Sequence, residues 1–382
     1  MTRWRIEPLG KLCEILDNRR KPITKKDRLS GEYPYYGATG VLDYVEDFIF
    51  DEPLVLIGED GAKWASGENT AFAVNGKCWV NNHAHVVRPL RVRLLDDWLI
   101  YFLVHSDLSP YVSGLTVPKL NQGNLREIPI PLPPVTEQQR IVAILDEAFD
   151  GIATAKANAE KNLRNARAIF ESHLQSVFID KAREWPNRLL GDEFHIGSSK
   201  RIYETDWTFQ GVPFFGGREI VKLAKYGSVE SASFISEEKY QEYASKFEMP
   251  RVGDILMTAR GTIGVGYIVK PADKFYYKDG NVISLRAKNS SNPQFVLYAF
   301  KSNAILDQLT VLVGTTVSHL PIEKAKMLKI CMPTFEVQNF IVQHLEMIEA
   351  HTKDLESVYK KKLVALAELK KSLLHQAFSG AL

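Results

Sequence analysis

Very little in this chain invites catalysis. Its three cysteines, Cys13, Cys78 and Cys331, are odd in number and scattered. They form neither a disulfide framework nor a paired zinc spacing, and they suit reduced thiols in a cytoplasmic protein. No apolar run approaches the ~18 residues of a spanning helix, and Met1 leads straight into charged residues rather than a signal sequence. Neither sign of charge dominates: 48 Lys and Arg against 46 Asp and Glu leave a net value of +2 over 382 residues. A nucleic-acid contact would therefore have to rest on local basic clusters or on charge supplied by a partner. Phosphate-cradling GxxxxGK[ST], the Asn/Asp-Pro-Pro-Tyr/Phe run of amine methylation and a nucleophile elbow are all missing. The glycine-rich stretch 261–266 has the wrong spacing for a dinucleotide turn and suits a strand bend or tight packing. Glu237-Glu-Lys239 holds half of a nuclease motif without a Pro-Asp partner upstream. His83-Ala-His85 could put two imidazoles on one strand face, but no ligand set accompanies them, so no metal is expected. A chain of this size without a chemical site is expected to bind rather than catalyse.

What is present is a repeat. At a constant offset of 200, Gly114, Thr116, Val117, Leu120, Ile130, Pro133, Gln138, Ile141, Val142 and Leu145 meet identical residues at 314–345. The register persists to Leu163, Ser172, Leu174 and Phe178 against Leu363, Ser372, Leu374 and Phe378. Each copy ends in a long helical pattern, 137–178 and 336–378. Ile141, Leu145, Ala148, Ile152, Ala155, Ala159 and Leu163 recur at steps of three and four, and Ile341, Leu345, Ile348, Leu355, Tyr359 and Leu363 do the same apart from one step of seven. About 42 residues without an internal proline make a rod of roughly 60 Å. One small domain cannot cover such a stripe, so the two helices are expected to pack together as a coiled coil, with a heptad slip near Ala159–Leu163. Thr136 is the expected N-cap of the first, and Glu137 suits the positive end of its dipole.

The globular parts repeat as well. Tyr33-Pro-Tyr-Tyr-Gly37 is answered by Val212-Pro-Phe-Phe-Gly216, the strand Leu54–Ile57 by Asp254–Met257, and Trp98-Leu-Ile-Tyr101 by Phe295-Val-Leu-Tyr298. The frame agrees while the loops between differ, as expected of one scaffold serving two different targets. The division is 1–135, a globular domain; 136–180, a long helix; 181–335, a second globular domain; and 336–382, a second long helix. The class is α+β.

Two globular units, each followed by a long helix entered through Pro-Leu-Pro-Pro-Val-Thr-Glu-Gln-Gln-Arg-Ile-Val-Ala at 131–143, resemble the specificity subunit of type I restriction–modification systems. Tyr-Pro-Tyr-Tyr-Gly at 33–37, Gly-Thr-Thr-Val at 314–317 and Leu-Leu-His-Gln-Ala-Phe-Ser-Gly at 373–380 add to the likeness, which covers essentially the whole chain. The second copy departs in having Glu336-Val-Gln338 for Thr136-Glu-Gln138. The resemblance implies that each unit is a target-recognition domain for one half of a split DNA site. It implies antiparallel helices that set the gap between half-sites and give the chain pseudo-twofold symmetry. It implies two modification subunits that bring S-adenosylmethionine, and restriction (nuclease-translocase) subunits that bring ATP and Mg. The chain itself would hold no cofactor and perform no chemistry.

Base edges are read by side chains that fork onto them: Arg or Lys for guanine, Asn or Gln for adenine. The polar, turn-like candidates are Arg19, Arg20, Lys21, Tyr36, Lys63, Asn81, Asn82 and His83 in the first unit. In the second they are Lys200, Arg201, Arg218, Arg260, Thr262, Lys278 and Asn281. Arg19 to Lys21 open the densest basic segment, although most charge runs are solvated surface. Tyr35, Phe214 and Phe215 are expected in the core. Lys156, Arg164, Arg167, Lys360 and Lys361 on the helices are candidates for seating the modification subunits. The competing expectations are a coiled-coil adaptor between proteins, and a stand-alone nuclease or methyltransferase.

Overall fold

The computed structural model describes residues 4–114, 116–313 and 319–382. The chain forms two units, one comprising Met1–Lys161 with Tyr359–Leu382 and the other Asn162–Val358. The Gly-Thr-Thr-Val stretch at 314–317 lies outside the described residues.

In the first unit the strands are β1 (Arg5–Pro8), β2 (Cys13–Ile15), β3 (Ser30–Gly37), β4 (Gly40–Val45), β5 (Phe50–Asp51), β6 (Leu54–Gly58), β7 (Ala71–Val74), β8 (Lys77–Val80) and β9 (Ala84–Pro89). Helices α1 (Asp96–His105) and α2 (Gln122–Glu127), strand β10 (Pro129–Leu132) and helix α3 (Val135–Gln175) come next. One sheet is ordered β2-β9-β6-β7 and is antiparallel throughout. The other is ordered β4-β3-β8-β5, with β3 and β8 parallel. Among the described residues the proline-rich β10 pairs only with β1, and such an isolated pair tolerates residues that lack an N–H.

Strand β6 explains the layering. All five of its residues are buried, and alternate side chains serve opposite faces. Val55 and Ile57 pack with Leu9, Trp98, Leu99 and Leu103, whereas Leu54 and Leu56 pack with Phe50, Val80 and Val86. Helix α1 thus covers one face and the second sheet the other.

The second unit repeats this with β11 (Asn187–Leu189), α4 (Leu190–Glu193), β12 (Phe194–Gly197), β13 (Trp207–Thr208), β14 (Val212–Phe215), α5 (Gly217–Tyr226), β15 (Phe234–Ile235), α6 (Glu237–Lys246), β16 (Ile255–Thr258), β17 (Gly266–Ile268), β18 (Tyr276–Tyr277) and β19 (Val282–Ala287). After these come α7 (Pro293–Lys301), α8 (Asn303–Val313), α9 (Ile322–Lys326), β20 (Lys329–Cys331) and α10 (Phe335–Ser379). The sheets are β12-β19-β16-β17, β13-β15-β14-β18 and β11-β20, matching those of the first unit in kind. Ile255 and Met257 face Phe295 and Tyr298, while Leu256 faces Phe215 and Tyr277. Helices α5 and α6 stand where the first unit has only the β3–β4 hairpin and short strands. Gly266 lets α7 sit close to β17, since a Cβ there would come 2.3 Å from the Leu297 side chain, which would have to shift.

The glutamine at the entry to each long helix has a structural cause. Gln138 is fully buried. Its Nε2 donates to the carbonyls of Arg93 (2.7 Å) and Pro133 (2.9 Å), and its Oε1 accepts from Leu95 N (2.9 Å), just ahead of α1. Gln338 repeats the joint, donating to Pro333 (2.9 Å) and accepting from Asn292 N (2.9 Å), just ahead of α7. Thr136 is not the N-cap. The helix begins at Val135, and the carbonyl of Pro134 accepts from Glu137 and Gln138, which places Thr136 within the first turn.

The two long helices pair antiparallel within each unit. In the first, Arg140 donates to the carbonyl of Leu382 (2.8 Å) and Lys370 lies 4.9 Å over the Phe149 ring. In the second, Arg167 reaches Glu356 (3.3 Å) and the rings of His173 and His344 are 6.2 Å apart. Helix α3 stays α-helical through Ala159–Leu163. The departure comes later, in a wide π-turn at Ser176–Asp180. The bond from Ala381 N to Gln376 O (2.9 Å), also five residues long, echoes it at the same offset.

Candidate nucleic-acid interface

In the second unit four of the seven polar candidates converge. Arg218, Arg260, Thr262 and Asn281, with Gly217, Val221, Thr258 and Gly261, line a concavity of about 400 Å³. Local chemistry builds it. The Thr258 hydroxyl donates to the carbonyl of Thr262 and accepts from Val265 N (3.1 Å), closing the turn that carries Arg260. Gly261 has φ +76°, a left-handed conformation that favours glycine. Gly216 N donates to Glu219 Oε2 (2.9 Å), fixing the start of α5 so that Arg218 stands in its first turn. No carboxylate lines the concavity, and Arg218 and Arg260 make no ion pair among the described residues.

Lys200, Arg201 and Lys278 are not among the lining residues. Arg201 pairs with Asp279 (2.9 Å), Lys278 sits 4.9 Å over the Trp207 ring, and Lys200 lies 5.6 Å from the Phe247 ring. Ser199 donates to the Tyr277 carbonyl (2.6 Å) and joins the segments that carry them. Tyr35, Phe214 and Phe215 are buried, as expected of core residues.

The first unit is different. Lys21, Lys63, Asn82 and His83 are exposed. Arg19 is half engaged, bonding Glu52 (3.3 Å) and the Ile49 carbonyl (3.0 Å) over the Phe50 ring. Tyr36 is partly buried against Phe72. Asn81 is buried and caps its own turn, accepting from His83 N (2.8 Å). Arg20 points inward. Its guanidinium bonds the carbonyls of Asp17 (3.1 Å) and Ala84 (2.8 Å) and the carboxylate of Glu59.

Around Arg20 lies a network that sequence reasoning missed. Asp17 accepts from Val86 N (2.9 Å) and Gln122 Nε2 (3.0 Å), and pairs with His85 Nδ1 (2.6 Å). The other nitrogen of His85 meets the Leu120 carbonyl (2.6 Å), and Lys119 pairs with Glu59 (2.8 Å). Burial opposes the charge on Asp17, but hydrogen bonds from His85, Val86 and Gln122 outweigh it and lower its pKa. The bond to Glu59 raises that of Lys119. Asp17, Glu59 and His85 lie within 4.8 Å of one another and have metal-ligand chemistry. Their donor atoms are nonetheless turned to Arg20, Lys119 and backbone, so the cluster fits an ion network better than a metal. His83 and His85 face different acids, Asp60 and Asp17. Residues 17, 59, 85 and 119 share no periodic spacing, so nothing along the chain signals the network.

Burial pushes the Cys13 thiol up to about 12 and that of Cys78 to about 11, so neither is a ready nucleophile. Glu237 of the half nuclease motif pairs with Lys274 on an exposed helix (2.8 Å). On the long helices Lys156, Arg164, Arg167, Lys360 and Lys361 are all exposed. None of the helices among the described residues is long and apolar enough to cross a membrane.

The chain matches the model of the type I restriction modification DNA specificity domain twice, over residues 1–163 and 182–365. A type I restriction enzyme specificity subunit of Haemophilus influenzae is 31% identical to it, over 91% of this chain and 88% of that protein. The MjaVIII specificity subunit of Methanocaldococcus jannaschii is 22% identical over 99% of this chain and 92% of its own. Among solved structures, a chain from a study of complex assembly and conformational transition in the type I R-M system has a TM-score of 0.71 at 18% identity, covering 99% of this chain and 98% of that one. The HsdS subunit of Thermoanaerobacter tengcongensis has a TM-score of 0.62 at 18% identity, covering 100% of this chain and 98% of its own.

Proposed function

Because the chain belongs to the family of type I restriction–modification DNA specificity subunits, we propose that it reads a bipartite DNA site, one half with each unit. The observation that carries this reading is the doubled plan. Two sheet-built units each present a polar, turn-built surface, and each is fastened by a buried glutamine to a long helix. In the second unit Arg218, Arg260, Thr262 and Asn281 supply base-edge contacts, flanked by Lys200, Arg201 and Lys278 toward phosphates. In the first, Lys21, Lys63, Asn82 and His83 face the DNA. Arg19, Arg20, Tyr36 and Asn81 shape the surface from behind. About half to two-thirds of the contacts would be to phosphate and sugar, which position without specifying.

The paired helices act as the spacer. A fixed separation matters because half-sites present the same DNA face only at multiples of about 34 Å. Exposed Lys156, Arg164, Arg167, Lys360 and Lys361 help to seat two modification subunits, which hold S-adenosylmethionine. ATP and Mg belong to the restriction subunits, and this chain contributes recognition without a cofactor of its own. The test is selection from a randomised duplex library by the full chain with its modification partner. A two-part consensus separated by an unread gap is expected, and a single continuous consensus, or none, would overturn the reading.

A further inference from the structure

The two units match bond for bond at the end of their central strands. Gly58 N donates to Thr70 O and Thr258 N to Val265 O, both at 2.9 Å. Glu59 N donates to His83 O (2.9 Å), as Ala259 N does to Asn281 O (2.8 Å). The carbonyl of residue 59 accepts from Leu120 N (2.8 Å), and that of 259 from Leu320 N (2.7 Å). Isolated bridges then join Asp60 to Lys119 and Arg260 to His319. Position 60 is therefore the counterpart of 260, and 83 of 281.

The chemistry at these matched positions is opposite. In the first unit Asp60 Oδ1 meets His83 Nδ1, and Oδ2 makes no hydrogen bond among the described residues. A carboxylate oxygen accepts, so position 60 presents an acceptor. In the second unit Arg260 presents a fork of donors, lines the concavity beside Asn281, and is exposed.

We propose that positions 60 and 260 are equivalent base-reading positions of opposite hydrogen-bonding sign, Asp60 accepting from a base amine and Arg260 donating to the acceptor pair of a guanine. Resting on the bipartite DNA reading above, this adds the sign of each contact. Cytosine is the base for Asp60, because its major-groove edge offers the N4 amine, whereas adenine places the N7 acceptor beside its amine, facing a carboxylate. Exposed Lys21 and Lys63, with Lys119 beside Glu59, offset the repulsion between this carboxylate and the phosphates. Each half-site then contains one G·C pair whose contacted base differs: cytosine in the first, guanine in the second.

The experiment is library selection with the full chain and its modification partner, comparing wild type with Asp60→Asn, Asp60→Glu and Arg260→Gln. Asp60→Asn, whose amide both donates and accepts, relaxes one cytosine of the first half-site. Asp60→Glu keeps the acceptor and keeps the preference. Arg260→Gln shifts one guanine of the second half-site toward adenine. Discrimination at the guanine falls roughly 5- to 150-fold in Arg260→Gln, the range for one lost bidentate base contact, and at the cytosine by less in Asp60→Asn, where a single bond is lost. The untouched half-site in each variant serves as the control for folding. Unchanged consensus in both Asp60→Asn and Arg260→Gln overturns the inference while leaving the bipartite reading standing. So does a uniform loss across all sequences with a shallower salt slope, which marks phosphate contacts. Failure of the wild type to yield a two-part consensus instead sinks the reading on which the inference rests.

Discussion

Replacing Gln138 with leucine tests whether the joint between sheet and helix is held by one side chain. The substitution keeps the volume roughly constant but removes three hydrogen bonds, to the Arg93 and Pro133 carbonyls and from the Leu95 N–H. The glutamine is fully buried, so water cannot replace them without opening the site. An orphaned buried group costs about 1–3 kcal/mol, and a carbonyl, with a second lone pair, falls at the lower end. Three such groups sum to about 3–5 kcal/mol, from which added apolar burial returns about 1 kcal/mol. A net loss of about 2–4 kcal/mol lowers the melting temperature of a unit of this size by about 5–15 °C. Differential scanning calorimetry on the full chain measures it. Gln338→Leu should produce the corresponding shift in the second unit, where Asn292 N and the Pro333 carbonyl lose their partner. A shift below about 2 °C for Gln138→Leu would refute the argument that this side chain carries the joint.

The ion network, the spacer and the domain plan can each be probed in turn. Asp17 has a lowered pKa in the folded chain, so its contribution is present above the unfolded carboxylate value of about 3.9 and disappears as pH falls through the lower folded value. The stability gap between wild type and Asp17→Asn, measured by chemical denaturation, should therefore be full near neutrality and close in strong acid. A gap that widens on acidification contradicts the network. Inserting one helical turn after Ala159 should lengthen the unread gap in the selected consensus or abolish binding, and an unchanged gap argues against the spacer. Exchanging residues 1–135 for those of another family member should change one half-site alone, while an adaptor role predicts no change in either.

Much of the architecture was readable from local pattern. The long helices announced themselves by a three-and-four spacing without proline, and the apolar run Leu54–Ile57 marked a strand, whose burial on both faces only the structure shows. The 200-residue offset carried one unit's reading onto the other. Strands of two residues, such as Trp207–Thr208 and Tyr276–Tyr277, carry no periodic signal and exist because their neighbours hold them. Turn chemistry picked out Arg218, Arg260, Thr262 and Asn281, which the fold gathers into one concavity. Arg20 shows where local pattern stops. It sits in a basic run that reads as solvated surface, but the acid that draws it inward, Glu59, lies 39 positions away. The acidic turn Glu59-Asp60-Gly61 carries no local sign that position 60 corresponds to Arg260, a match that appears only in the backbone bonds around both.

The wide turn at Ser176–Asp180 bears on how such a chain can change. An α-helix cannot lose one residue without rotating everything beyond it by about 100°, the angle between successive side chains. A π-turn already holds one residue more than the helix needs. A single-codon deletion there would tighten the coil to ordinary winding and swing Val177 and Phe178 away from the core they now fill. The cost would fall on those two side chains, while the segment beyond the turn would keep its direction, because the deletion removes the surplus residue rather than a helical one.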